Sequence, residues 1–179
     1  MPRTAPAHAL HEALFADEQT GAWAVLDGAS IDGLFAKLKE LAPEHVCLYR
    51  GELAPDLAAA APYLVRLEAD HPFTEWVLDE GWANHWGIFA VAPAAADLRA
   101  MRKHFRTFLL VRNPDGKVVY FRYYDPRVMR VYLPTCNATE LATVFGPVCA
   151  YLMEDEDPAT LLVMSVRDRK LHRQAVSAP

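Results

Sequence analysis

Two short stretches of this chain hold residue types from which a polar site can be built. The first is Asp27-Gly28, which ends the apolar run Ala22-Trp23-Ala24-Val25-Leu26. A carboxylate at the end of a strand can serve as a catalytic acid or base. It can equally close a turn by accepting backbone N–H groups. A second acid nearby would favour catalysis, but the nearest, Asp32, falls on the following helical stretch. The second stretch is Arg122-Tyr123-Tyr124-Asp125-Pro126-Arg127-Val128. If residues 117–124 form a strand, Val118, Tyr120, Arg122 and Tyr124 share one face. Arg122 then enters apolar, aromatic surroundings, where a guanidinium needs a partner. Asp125 is the expected partner, for Arg122 and for Arg127 as well. Such a group can be an ion-pair network that fixes the turn out of the strand. It can also be a recognition surface, since tyrosine and arginine often anchor interfaces.

Other chemistries find little support. Neither G-x-S-x-G nor a glycine-rich phosphate loop occurs, and the three serines, Ser30, Ser165 and Ser177, have no catalytic context. Seven histidines (His8, His11, His45, His71, His85, His104 and His172) show no ligand spacing. Cys47, Cys136 and Cys149 lie far apart without a C-x-x-C pair, as buried reduced thiols would. Cys136 precedes a helical stretch, whose N-terminus would lower its pKa, so it has the best case for reactivity. No catalytic residue, metal site or cofactor is expected.

The 179 residues suit one domain with a full core. A net charge of −5 argues against nucleic acid as a partner. No apolar run reaches membrane-spanning length and Met1–Ala9 has no secretory pattern, so no membrane insertion and a cytoplasmic location are expected. The residues that matter must be carried by short elements. The pattern predicts helices over 8–16, from a Ser30 cap to Leu41, over 55–61, from Pro72 to Gly81 and over 94–106. On the helix over 94–106, Arg99, Arg102, Lys103 and Arg106 lie off the apolar stripe, as a solvated basic face or a docking face for an acidic partner. Strands are predicted at 22–26, 46–49, 63–67, 86–91, 148–153 and 161–166. The opening strand-helix-strand suggests a βαβ unit. Asn113-Pro114-Asp115-Gly116 marks a type I turn of a hairpin at about 107–123, apolar on both faces and therefore expected inside the sheet. Asn137 and Glu140 have capping-box spacing. The expected fold is α/β of the mixed α+β kind, a central mixed sheet flanked by helices. One domain spans 1–157, and 158–179 holds the last strand and a flexible basic tail.

Four segments together resemble a known family: W-A-V-L-D-G-A at 23–29, A-P-Y-L-V-R-L at 61–67, W-G-I-F at 86–89 and F-R-Y-Y-D-P-R-V-M-R-V-Y-L-P at 121–134. In this order they are similar to the effector adaptors, or effector chaperones, of type VI secretion, long known only as a domain of unknown function. The similarity runs from about residue 20 to 155, and its last segment is the most specific. The resemblance implies a bacterial cytoplasmic protein that is not an enzyme and needs no cofactor. Its partners would be a toxic effector and the spike-tip protein of the secretion machine. The family motif falls here on Arg122, Tyr124, Asp125, Pro126 and Arg127, with Arg130 one turn further on. These residues would either contact a partner or shape the fold. Two other readings compete: a small hydrolase or transferase using Asp27 or Asp125, and a regulatory binding module unrelated to secretion.

Overall fold

A computed structural model describes residues 4–177. Its elements, in chain order, are α1 (Ala5–Phe15), β1 (Thr20–Asp27), α2 (Leu34–Leu41), β2 (His45–Cys47), α3 (Pro55–Ala60), β3 (Pro62–Leu67), α4 (Pro72–Gly81) and β4 (Gly87–Pro93). There follow α5 (Leu98–Thr107), β5 (Leu110–Arg112), β6 (Val118–Tyr120), α6 (Pro126–Tyr132), α7 (Ala138–Phe145), β7 (Ala150–Glu154), β8 (Thr160–Arg167) and β9 (Lys170–Ser177).

Seven strands form one sheet in the order β2-β3-β1-β4-β7-β8-β9, and every pairing in it is antiparallel. The α+β class is as expected, but the sheet is not mixed and the βαβ unit does not form. β1 pairs with β3 and β4, while β2 pairs only with β3. Strand β1 reads as a continuous apolar run because both faces of the sheet are covered. Trp23 and Val25 pack with Met101, Phe105, Met129 and Phe145 of α5, α6 and α7. Ala22, Ala24 and Leu26 pack with Leu10, Leu14, Leu34, Phe73 and Val77 of α1, α2 and α4. Burial on both faces is commonest in parallel sheets, which is how the pattern misleads here. By the same alternation, Asp27 at the end of β1 points to the α5-α6-α7 side.

Three local expectations change. Ser30 does not cap α2: its hydroxyl donates to Asp27, and Gly33 at φ 79 occupies the cap. The turn at Asn113–Gly116 forms, with Gly116 N–H donating to the Asn113 carbonyl at 2.9 Å. Its hairpin, however, is a separate ribbon of two three-residue strands outside the main sheet. Leu110, Val118, Val119 and Tyr120 stand 39–55% exposed on it. Finally, the basic tail is strand β9, hydrogen-bonded to β8 along its length. Asp168 and Arg169, at φ 49 and 61, make the two-residue turn whose backbone matches strand twist. The capping box at Asn137 and Glu140 is present as expected. Among the described residues, no helix is long and apolar enough to cross a membrane.

Candidate functional site

Asp27 reaches the site because β1 is held at its end from both sides. Its N–H donates to the Trp86 carbonyl at 2.8 Å, and the next N–H, of Gly28, to that of Ala61 at 3.2 Å. A Cβ on Gly28 would collide with that same carbonyl, and one on Gly87 with the carbonyl of Val25. Glycine is required at both positions by this close approach of backbones. The segments W-A-V-L-D-G-A, A-P-Y-L-V-R-L and W-G-I-F thus meet around one carboxylate.

Asp27 is 1% exposed. It accepts from Ala29 N–H at 3.1 Å and from the Ser30 hydroxyl at 2.8 Å. Its charge is met by Arg122, whose Nη2 lies 2.5 Å from Oδ2. Arg122 is not on a strand: the chain leaves β6 at Tyr120 and turns through Tyr123 and Tyr124 into α6. The expected pairing of Arg122 with Asp125 is therefore secondary, at 3.9 Å. Asp27 takes the primary role because β1 ends beside this turn.

Asp125 caps α6. It accepts from Arg127 N–H at 2.9 Å and binds the Arg127 guanidinium twice, at 3.0 and 2.8 Å. Pro126 fills the first helical position, where its missing donor costs nothing. Burial pushes the Asp125 carboxyl up, but the bonds and charge of Arg127, with the charge of Arg122, together carry it below its ordinary value. The hydrogen bond that Arg127 donates to Asp125 raises the pKa of Arg127, and the one that Arg122 donates to Asp27 raises that of Arg122. Both arginines are about half exposed, with side-chain exposures of 50% and 51%, over carboxylates that are buried.

The remaining motif residues divide by role. Tyr124 is buried, and burial raises its phenol above the ordinary range, followed by its hydrogen bond to Tyr49. The Tyr123 hydroxyl donates to the Phe105 carbonyl at 2.8 Å and ties the motif to α5. Arg130 lies further along α6, with Nε and Nη1 shielded and without acceptors. It lines a cleft of 420 Å³ with Val131, Asp155, Glu156, Asp157 and Arg173.

One residue missed in the sequence belongs nearby, with His85 as its partner. Glu154 ends β7, is 4% exposed and accepts from the His85 N–H at 2.8 Å, with His85 Nδ1 at 2.9 Å. Its charge acts on Arg127, as does that of Asp27. In sequence Glu154 is hidden at the head of the acidic run 154–157, and only its strand position could have marked it. Asp32 makes no hydrogen bond or ion pair with Asp27 among the described residues. It lines a separate cleft of 620 Å³ with Lys37, Glu40, Trp76, Glu80 and Trp86. Cys136 is not activated: burial raises its thiol more than the hydrogen bond with Tyr132 lowers it. It follows a short 3-10 turn, and Asn137 holds the cap of α7 instead. Among the described residues, no three His, Cys, Asp or Glu side chains are grouped to hold a metal ion.

Chemically, then, Asp27 and Asp125 are each occupied by an arginine, and the arrangement is a two-centre ion-pair clamp between β1 and α6. Comparison with curated proteins and with solved structures finds no match. A family model described as a domain of unknown function (DUF4123) matches residues 22–143, which takes in most of β1, the hairpin, the clamp and most of α7, and the chain belongs to that family.

Proposed function

We propose that this protein is a cytoplasmic adaptor, or chaperone, that binds a cognate effector of type VI secretion and helps load it onto the spike-tip protein. The observation that carries the binding role is the β5–β6 ribbon. It leaves the sheet within the family-matched region and presents Leu110, Val118, Val119 and Tyr120 to solvent. Contiguous exposed apolar side chains on a small domain mark interaction sites. The link to secretion rests on the resemblance of F-R-Y-Y-D-P-R-V and its companion segments to effector adaptors.

The clamp fits this reading better than catalysis. A general base needs a free lone pair near a substrate, and Asp27 and Asp125 are each already bound by an arginine side chain and by backbone or hydroxyl donors. The family motif thus shapes the surface from which the ribbon projects. Shielding an apolar effector segment until handover requires such a surface and only moderate affinity.

Co-purification with the products of adjacent genes tests the proposal. A tagged copy is expected to retain a toxin, and Val119→Asp with Tyr120→Ala to lose it while melting as the wild type does. Deletion that leaves both the level and the secretion of that toxin unchanged would refute the adaptor role.

A further inference from the structure

One face beside the ribbon is strongly basic although the chain carries a net charge of −5. Arg50, Arg99, Arg102, Lys103 and Arg106 line a single cleft of 290 Å³. On α5 (Leu98–Thr107), Arg102 and Lys103 each lie three or four residues from both Arg99 and Arg106, so like charges stand next to each other. Arg106 is committed to the fold. Its guanidinium donates to the carbonyls of Leu48, Cys47 and Tyr49 and pins the end of β2 to α5. Burial lowers its pKa, and the charges of Arg102 and Arg50 lower it further. The other four are not held in this way, and among the described residues none is in an ion pair with a carboxylate. The shielded Nε of Arg102 has no acceptor at all.

The cleft and the apolar ribbon are linked through Tyr49. Arg106 binds the Tyr49 carbonyl, and the Tyr49 ring packs on that of Tyr120 with centroids 4.4 Å apart. A chain crossing this face would meet Val118 and Tyr120, which share one face of the ribbon, and then four cations that have no carboxylate partner among the described residues. Repulsion among neighbouring like charges is relieved by an anionic occupant. The exposed aliphatic residues Leu110 and Val118 of the ribbon and the net charge of −5 favour a polypeptide over a nucleic acid.

We infer that the cleft and ribbon together form the docking groove for an acidic polypeptide segment with apolar anchors, supplied by the partner. The inference rests on the adaptor reading and adds the chemistry of the partner segment. Leucines or aromatic residues of that segment would cover the ribbon, and its carboxylates would pair with Arg99, Arg102 and Lys103.

Fluorescence anisotropy with a short labelled peptide alternating glutamate and leucine tests it, the glutamine–leucine peptide being the control. The glutamate peptide is expected to bind about tenfold more tightly than the control and to weaken with salt. Arg99→Glu with Lys103→Glu is expected to lose about tenfold, with an unchanged melting temperature because both side chains are exposed. Equal binding of both peptides, indifference to the charge reversal, or tighter binding of single-stranded DNA would overturn the assignment. So would a wild-type dimer that the charge reversal dissociates, since a second copy of this chain would then be the occupant. Retention of the toxin by the charge-reversed protein, with loss by the Val119→Asp, Tyr120→Ala protein, would sink this inference and leave the adaptor role standing. If the wild type retains no toxin, the adaptor role falls, and the peptide result decides the groove by itself.

Discussion

Arg122 is ion-paired with Asp27, a residue 95 positions earlier in the chain. The contact joins the end of the central strand to the turn that follows the ribbon. It is a buried carboxylate under a half-exposed guanidinium, so removing the arginine leaves the anion with only the Ser30 hydroxyl and Ala29 N–H.

Arg122→Ala should therefore destabilise the fold by about 1–2 kcal/mol, less than a fully buried pair would lose because the guanidinium is half in water. Asp27→Asn should cost a similar amount. The double variant should lose clearly less than the sum of the two. Urea denaturation of the four proteins gives the coupling directly, and strict additivity would mean that the pair contributes nothing.

Asp125 has a depressed folded-state pKa, below its ordinary 3.8. Its contribution is complete above that ordinary value and fades as pH falls through the folded one. Acid unfolding of the wild type should steepen below about pH 4, and Asp125→Asn should flatten that limb while lowering stability at neutral pH by about 1 kcal/mol. Stability measured by denaturant titration across this range would show it.

His104 works over a different window. Burial lowers its pKa from 6.5 to about 4, against a smaller upward pull from the Val144 carbonyl. The folded protein keeps this ring neutral while the unfolded chain protonates it. Stability is fully present above 6.5 and is lost progressively down to about 4. The loss over that window should be about 3 kcal/mol. His104→Gln should remove the slope, whatever it does to stability at neutral pH.

The β8–β9 turn places Asp168 and Arg169 in left-handed backbone, at φ 49 and 61. Asn at the first position and Gly at the second suit that turn. Asp168→Asn with Arg169→Gly should raise stability by about 0.5–1 kcal/mol. Thermal unfolding that shows no gain would mean that the terminal hairpin opens before the core.

Much of this protein follows from local pattern. The apolar runs of β1, β3, β4 and β8, the stripe of α5 and the capping box of α7 are each specified by neighbours a few residues apart. The Arg–Asp character of the 122–127 segment was legible for the same reason, since Asp125 and Arg127 share one turn. What local pattern does not contain is which strands become neighbours. A run buried on both faces reads alike in parallel and antiparallel sheets, so the antiparallel order appeared only in the fold. The same limit hid the choice of Asp27 over Asp125 by Arg122, because strand β1 alone brings that carboxylate across 95 residues. It hid the exposed position of the ribbon, whose apolar residues look in sequence like core. It also hid strand β9, whose charged residues read as tail until β8 offers them an edge. Side-chain spacing determines an element and its faces; only packing decides what each face meets.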